Sequence, residues 1–247
     1  PALLVAVIIA LLMVLSKALS GGGLMANLAN LATRGEREML NITVLKASAN
    51  SLRNALVVTL LTMPVAYLLA SRKKAIGLVL LPIGISPVVI GLGTLALSGY
   101  LPRELTSSWL LLPLVQMVFA LPVAYQILRP AYLSIDRSLI EAARLDGVGR
   151  WQQVALVELP LIKRSVALAM AFAAMVSIGE FGAASFLAFG SNETLPIVIY
   201  KLLGRPGEDN LGMAMTVASI YILISAYVIW LSLKPSRTPR QSFEVAQ

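Results

Sequence analysis

Six runs of apolar residues, each near the length of a membrane-crossing helix, limit what this chain can become. They cover residues 2–19, 52–70, 75–97, 109–128, 165–189 and 211–233. A hydrocarbon core ~30 Å thick needs about 20 apolar residues in helical form. Within it no water satisfies the backbone, so only helices and closed barrels span. Barrel strands alternate apolar and polar over ~10 residues, whereas these runs are continuous. The sequence therefore predicts an all-α integral membrane protein with six transmembrane helices over 1–233. Residues 234–247, with Pro235, Arg237, Pro239 and Arg240, are expected to form a disordered cytoplasmic tail.

Composition then removes whole classes of function. The chain is 58% apolar and 13% charged, with a mean hydropathy of +0.83, against roughly 45–50% and ~25% in soluble domains. Its net charge of +8 would suggest nucleic acid in a soluble protein, but here Lys and Arg mark cytoplasmic loops beside the membrane lipid. It has no cysteine and no histidine, so disulfides, thiolate or imidazole metal sites, and Ser-His or Cys nucleophiles are excluded. It also lacks a Gly-x-x-x-x-Gly-Lys-Ser/Thr run. The expectation is a non-enzyme with no cofactor and no metal, in which any ATP is bound by another polypeptide. The chain opens on Pro1 directly before an apolar run, which reads as no signal peptide and as a piece of a longer protein.

One segment of water-soluble character interrupts the apolar runs, from 129 to 164. The stretch 138–144 predicts a short helix on which Glu141 pairs with Arg137 and Arg144. Gly147 ends it in a left-handed turn. Gly149 then loosens the turn, and a second helical run over 151–158 stops at Leu159-Pro160. Such a helix, turn and helix presents Ala142 and Ala143 as a smooth patch, with Val148 and Trp151 as apolar contacts. A solvated loop is the plain alternative. A DNA-binding helix-turn-helix would need a recognition helix free to enter a groove, and this one is tethered at both ends to lipid-embedded runs.

Glu141-Ala142-Ala143, Gly147, Val157 and Leu159-Pro160, at their spacings, resemble the cytoplasmic loop of bacterial ABC importer permeases. Val157 stands where that family favours Ile. The resemblance implies the type I importer (MetI-like) fold in the cytoplasmic (inner) membrane. It further implies that the short helix is a coupling helix, docking into ABC ATPase subunits and transmitting nucleotide-driven closure. The implied partners are those subunits, a second permease domain and an extracytoplasmic solute-binding protein, with no nucleic acid. Gly179-Glu180-Phe181-Gly182 with Thr194-Leu195-Pro196 and Tyr200 resembles the thiamine and ferric-iron branch. There, one chain often carries two six-helix halves, and this chain looks most like the second.

If the first helix enters from the cytoplasm, the inner loops are 71–74, 129–164 and the tail, and they hold most of the Lys and Arg. The outer connection over 20–50, opened by Gly21-Gly22-Gly23, is expected to be flexible, with an interfacial helix over 24–31. The third helix is interrupted by Pro82, Gly84, Pro87, Gly91 and Gly93, which should turn it toward protein or a pathway. Pro113, Gln116 and Pro122 raise the same choice in the fourth. Glu180 is the carboxylate set inside an apolar run. It reads either as a hydrogen-bonding structural group or as a pathway residue for a cation. The sequence thus predicts an importer permease for thiamine or ferric iron. The alternative is an ion-coupled secondary transporter using Glu180. An intramembrane enzyme lacks its residues.

Overall fold

The computed structural model describes residues 2–19, 23–35, 40–72, 76–204 and 207–233. Gly21, Gly22 and the tail over 234–247 lie outside the described residues. Among the described residues every regular element is helical: α1 (Ala2–Lys17), α2 (Gly23–Asn30), α3 (Val44–Ala70), α4 (Ile76–Leu80), α5 (Pro87–Ala96), α6 (Arg103–Thr106), α7 (Leu111–Leu133), α8 (Arg137–Leu145), α9 (Arg150–Gln153), α10 (Leu159–Gly179), α11 (Ala184–Leu187), α12 (Leu195–Leu203) and α13 (Glu208–Leu233).

Among the described residues four helices are long and apolar enough to cross a membrane, and α4–α5 makes a fifth if its bent halves are one span. The first apolar run, 2–19, carries α1 over Ala2–Lys17. The third run breaks where its prolines predict. Pro82 lies in a 3-10 turn, Pro87 opens α5, and the two halves meet at 101°.

Two other boundaries moved because polar residues were placed inside helices. α3 begins at Val44, not 52, capped by the Thr43 hydroxyl, which accepts from the Lys46 N–H at 3.2 Å. Ser48, Asn50, Ser51 and Asn54 blur the apolar pattern, yet Asn50, Ser51 and Asn54 are buried. Asn50 donates to the carbonyls of Ser191 (2.8 Å) and Glu193 (2.9 Å), and the Leu195 N–H donates to Ser51 Oγ at 2.9 Å. The fifth span likewise runs from Arg150 to Gly179, not 165–189. Leu159-Pro160 does not stop the preceding helix. A π turn over Val154–Glu158 carries α9 into α10, with the Leu159 N–H donating to the Val154 carbonyl. Widening the helix there relieves the proline ring, whose missing N–H falls in the first turn of α10.

The connection over 20–50 is largely packed in its described parts. Leu31, Leu40, Ile42 and Val44 join Val198 and Leu202 of α12 and Met213 of α13 in one apolar cluster. The centre of the bundle is α3, α7 and α10, which meet through small residues four apart: Ala66 and Ala70, Ala120 and Ala124, Ala169 and Ala173, all fully buried. Helices lined this way approach closely without a hydrophobic drive from water. The ends of α3 and α7 and the start of α10 share one end of the bundle with α8, and Arg129 Nη1 caps it by donating to the Ala70 carbonyl.

Candidate coupling site and buried polar groups

α8 is built by its two ends. Asp136 Oδ1 accepts from the Ser138 N–H at 3.0 Å, satisfying one orphan donor of the first turn. That bond holds the exposed Asp136 carboxyl below its usual range. At the other end Gly147 sits at φ +75. Its N–H donates to the Arg144 carbonyl, and the Val148 N–H donates to the Ala143 carbonyl, both at 3.1 Å. These two bonds are the Schellman closure that a left-handed glycine permits. Nothing lies within 4 Å of where a Cβ on Gly147 would stand, so the requirement is one of backbone conformation alone.

The sequence-predicted residues fall into two groups. Ala143 is buried beside the π turn that carries Val157, itself half-buried, as is Leu159. Glu141, Ala142, Gly147 and Pro160 are exposed. Ala142 and Ala143 therefore do not share one surface. The large apolar residues exposed on α8 and α9 are Leu139, Leu145 and Trp151, the last two 88% and 82% exposed. The Arg137 side chain lies outside the described ones, so its pairing with Glu141 is not described. Arg144 does not pair with Glu141. Its Nε–H donates to Gln153 Oε1 at 3.3 Å.

From there a buried network leads to α3. Gln153 Nε2 donates to Glu158 Oε1 at 2.5 Å, the Tyr67 hydroxyl donates to Glu158 Oε2, and Arg150 Nη1 lies 3.4 Å from Glu158 Oε1. Glu158 is fully buried and Gln153 nearly so. The sequence places both in the second helical run over 151–158 and assigns neither a role. Gln153 and Glu158 are five apart, a spacing that no regular α-helix brings onto one face; the π turn does. The only available signal was a carboxylate placed directly before Leu159-Pro160.

At the opposite end, Glu180 follows α10 and is 7% exposed. Its Oε1 accepts from the Ala183 N–H at 2.6 Å and its Oε2 from the Ala184 N–H at 3.1 Å. Gln116 and Ser177 make a reciprocal pair beside it: Ser177 Oγ donates to Gln116 Oε1 at 2.7 Å, and Gln116 Nε2 donates to the Ser177 carbonyl at 3.2 Å. The glycines flanking Glu180 are needed for close approach. A Cβ on Gly182 would stand 2.9 Å from the Val88 nitrogen, and one on Gly179 would stand 2.8 Å from the Tyr221 hydroxyl. Phe181 meets Tyr200 with ring centroids 5.3 Å apart.

Residues 48–233, from inside α3 to the end of α13, match the family described as "Binding-protein-dependent transport system inner membrane component". The chain belongs to this family. It is a multi-pass inner-membrane permease component of the ABC importer type. Relatives include the molybdenum transport system permease protein ModB of Escherichia coli, 29% identical over 168 residues, or 62% of this chain and 73% of ModB. A probable molybdenum ABC transporter permease of Haloferax volcanii is 33% identical over 218 residues, covering 82% of this chain and 78% of that protein. The thiamine transport system permease ThiP of Brucella abortus is 27% identical over 142 residues, 56% of this chain but 26% of ThiP.

Proposed function

We propose that this permease passes a molybdate-type oxyanion across the membrane, driven by ATP hydrolysed on separate ABC ATPase subunits. An extracytoplasmic binding protein delivers the solute, and a second permease domain completes the path. The permease itself holds no cofactor. The observation that carries this reading is the doubly capped α8, which displays Leu139 and Leu145 outward and is joined through Arg144 and Gln153 to Glu158 and α3. In this role Glu141, Ala142 and Gly147 set the surface and angle presented to the ATPase. Ala143, Val157, Leu159 and Pro160 hold α8 against the helix that continues into the bundle. α8 faces the cytoplasm, and the Glu180 end faces outward.

The choice of solute departs from thiamine and ferric iron. The molybdenum relatives align over most of their length and the thiamine relative over about a quarter (26%), and none of these three is described as an iron permease. A cation path along Glu180 is also disfavoured, because both of its oxygens are taken by backbone N–H groups. The same geometry leaves an ion-coupled carrier without its coupling group.

The test is reconstitution of the permease with its ATPase and binding protein in liposomes, followed by uptake of labelled molybdate, with thiamine as the comparison. ATP-dependent molybdate uptake is expected, abolished when the ATPase cannot hydrolyse ATP. Uptake that needs only an ion gradient, or accumulation of thiamine instead, would overturn the reading. The mass of the assembled complex decides whether the second permease domain is another copy or another half of a longer chain.

A further inference from the structure

The geometry points to an oxyanion-binding site around Arg53, at the end of the bundle opposite α8. Arg53 is the one charged residue lining a cavity of about 180 Å³ between α3, the turn before α7 and the segment after α11. Its guanidinium lies over the Trp109 ring, 4.1 Å from the centroid, so the ring holds its face and leaves its edge open. On that edge Nε and Nη2 are buried with no hydrogen-bond acceptor. Each carboxylate of the buried glutamates Glu158, Glu180 and Glu193 accepts from at least one donor; the Nε and Nη2 of Arg53 are matched by nothing. A cation in a membrane-spanning helix is costly without a counter-charge.

The neighbouring groups are the kind an anion needs. Asn54, the next residue on α3, is 2% exposed and lines the same cavity, and its Oδ1 has no donor. Its amide is therefore free to turn its nitrogen inward. Ser108 Oγ accepts from the Leu110 N–H at 3.1 Å, which leaves its own O–H to donate. The hydroxyls of Thr106 and Ser107 are already spent on the Arg103 carbonyl, at 3.2 and 2.6 Å. No carboxylate lines the cavity. A forked cation, an amide and a hydroxyl, with no acid to repel, suit a tetrahedral dianion such as molybdate, tungstate or sulfate. A lipid phosphate shares this chemistry. The inference rests on the oxyanion-importer reading and deepens it, since this site is where solute released by the binding protein would first be held.

The experiment measures equilibrium binding of labelled molybdate to the purified permease–ATPase complex without binding protein, in phosphatidylcholine and in phosphatidylglycerol nanodiscs. Saturable binding is expected in both. Arg53→Gln should weaken it about tenfold or more, as loss of charged hydrogen bonds does, and Arg53→Lys should weaken it less. Arg103→Gln, an exposed arginine of the same end outside the lining, should not change it. Complex yield on size exclusion reports folding for each variant. Unchanged binding by a folded Arg53→Gln complex would overturn the site. Binding in phosphatidylcholine that disappears in phosphatidylglycerol would reassign the pocket to lipid headgroups and also overturn it. Proteoliposome uptake with the binding protein separates the two claims. Wild-type molybdate uptake by Arg53→Gln sinks the site and leaves the importer reading standing, whereas no molybdate uptake by the wild type sinks the importer reading.

Discussion

Gln153 Nε2 lies 2.5 Å from Glu158 Oε1 across a single turn of π geometry, and this contact joins the short helix α8 to the membrane-spanning helix α3. The chain of bonds runs from Arg144 through Gln153 and Glu158 to Tyr67. Every link beyond Arg144 is at least partly buried, where hydrogen bonds strengthen one another and an orphaned partner is costly. In the proposed transporter, a push on α8 reaches α3 through this network without passing through lipid.

Tyr67→Phe tests the network at its far end. Losing the hydroxyl leaves one oxygen of a buried carboxylate short of a donor, worth about 1–3 kcal/mol locally. The expected result is near-normal complex yield with reduced solute-stimulated ATP hydrolysis. A double-mutant cycle with Arg144→Ala should then give a coupling of at least ~0.5 kcal/mol in the stimulation ratio. Strict additivity would mean that the two ends do not communicate.

Gly147 offers a cleaner test, because no neighbour would touch a side chain placed there. Within the permease itself any penalty must come from φ +75. Gly147→Val should cost about 1–2 kcal/mol, splay α8 and lower both stimulated ATP hydrolysis and uptake. Gly147→Asn should recover most of the loss, since asparagine tolerates the left-handed region. Equal defects in the two variants would point to lost surface contact with the ATPase rather than to backbone strain.

The sequence carried α8 and its glycine closure because both depend on local chemistry: a cap, a short amphipathic run and a residue without a Cβ. The broken third span was legible for the same reason, through Pro82 and Pro87. The start of α3 was not. Asn50, Ser51 and Asn54 look like loop residues until segments some 140 positions away supply Asn50 and Ser51 with partners. The continuity of α9 into α10 was hidden by Pro160, whose usual effect is cancelled by a π turn that leaves no mark on a 3.6-residue period. The pairing of Glu158 with Gln153 was hidden for that reason as well.

Glu180 is expected to act through its two backbone bonds. Glu180→Gln keeps one acceptor and points an amide N–H at a donor, so the turn over 180–184 should loosen by about 1–3 kcal/mol. Glu180→Leu should be worse. Complex yield and thermal stability should fall in that order, while uptake per assembled complex by the Gln variant stays close to wild type. A well-assembled Gln variant that transports poorly would instead place the charge on the solute path.

Orientation can be read with cysteines, since the chain has none of its own. Substitutions at Ser71 and Ser138 should resist impermeant thiol reagents in intact cells, and one at Ser191 should react. Ser138 and Ser191 are exposed in the fold, so a silent site at either reports the side of the membrane rather than burial. Labelling at Ser138 from outside would remove α8 from the cytoplasm and the ATPase with it.

The close crossing of α5 over the Glu180 turn makes the last prediction quantitative. A Cβ on Gly91 would stand 2.6 Å from the Ala183 Cα and 3.2 Å from both its Cβ and its carbonyl oxygen. Those are backbone and near-backbone atoms that cannot rotate away, so Gly91→Ala must part α5 from the segment Glu180 holds. Overpacking of this kind costs about 1–3 kcal/mol. Gly84, in the 3-10 turn before the 101° bend, has nothing within 4 Å, and Gly84→Ala should be neutral or slightly stabilising. Thermal stability of the purified complex should therefore fall for Gly91→Ala and hold for Gly84→Ala. Restoring the space with Ala183→Gly in the Gly91→Ala background should recover only part of the loss, because the 2.6 Å contact is to the Cα, which glycine retains. Full recovery would show that the side chain, not the backbone, sets the distance between α5 and the turn.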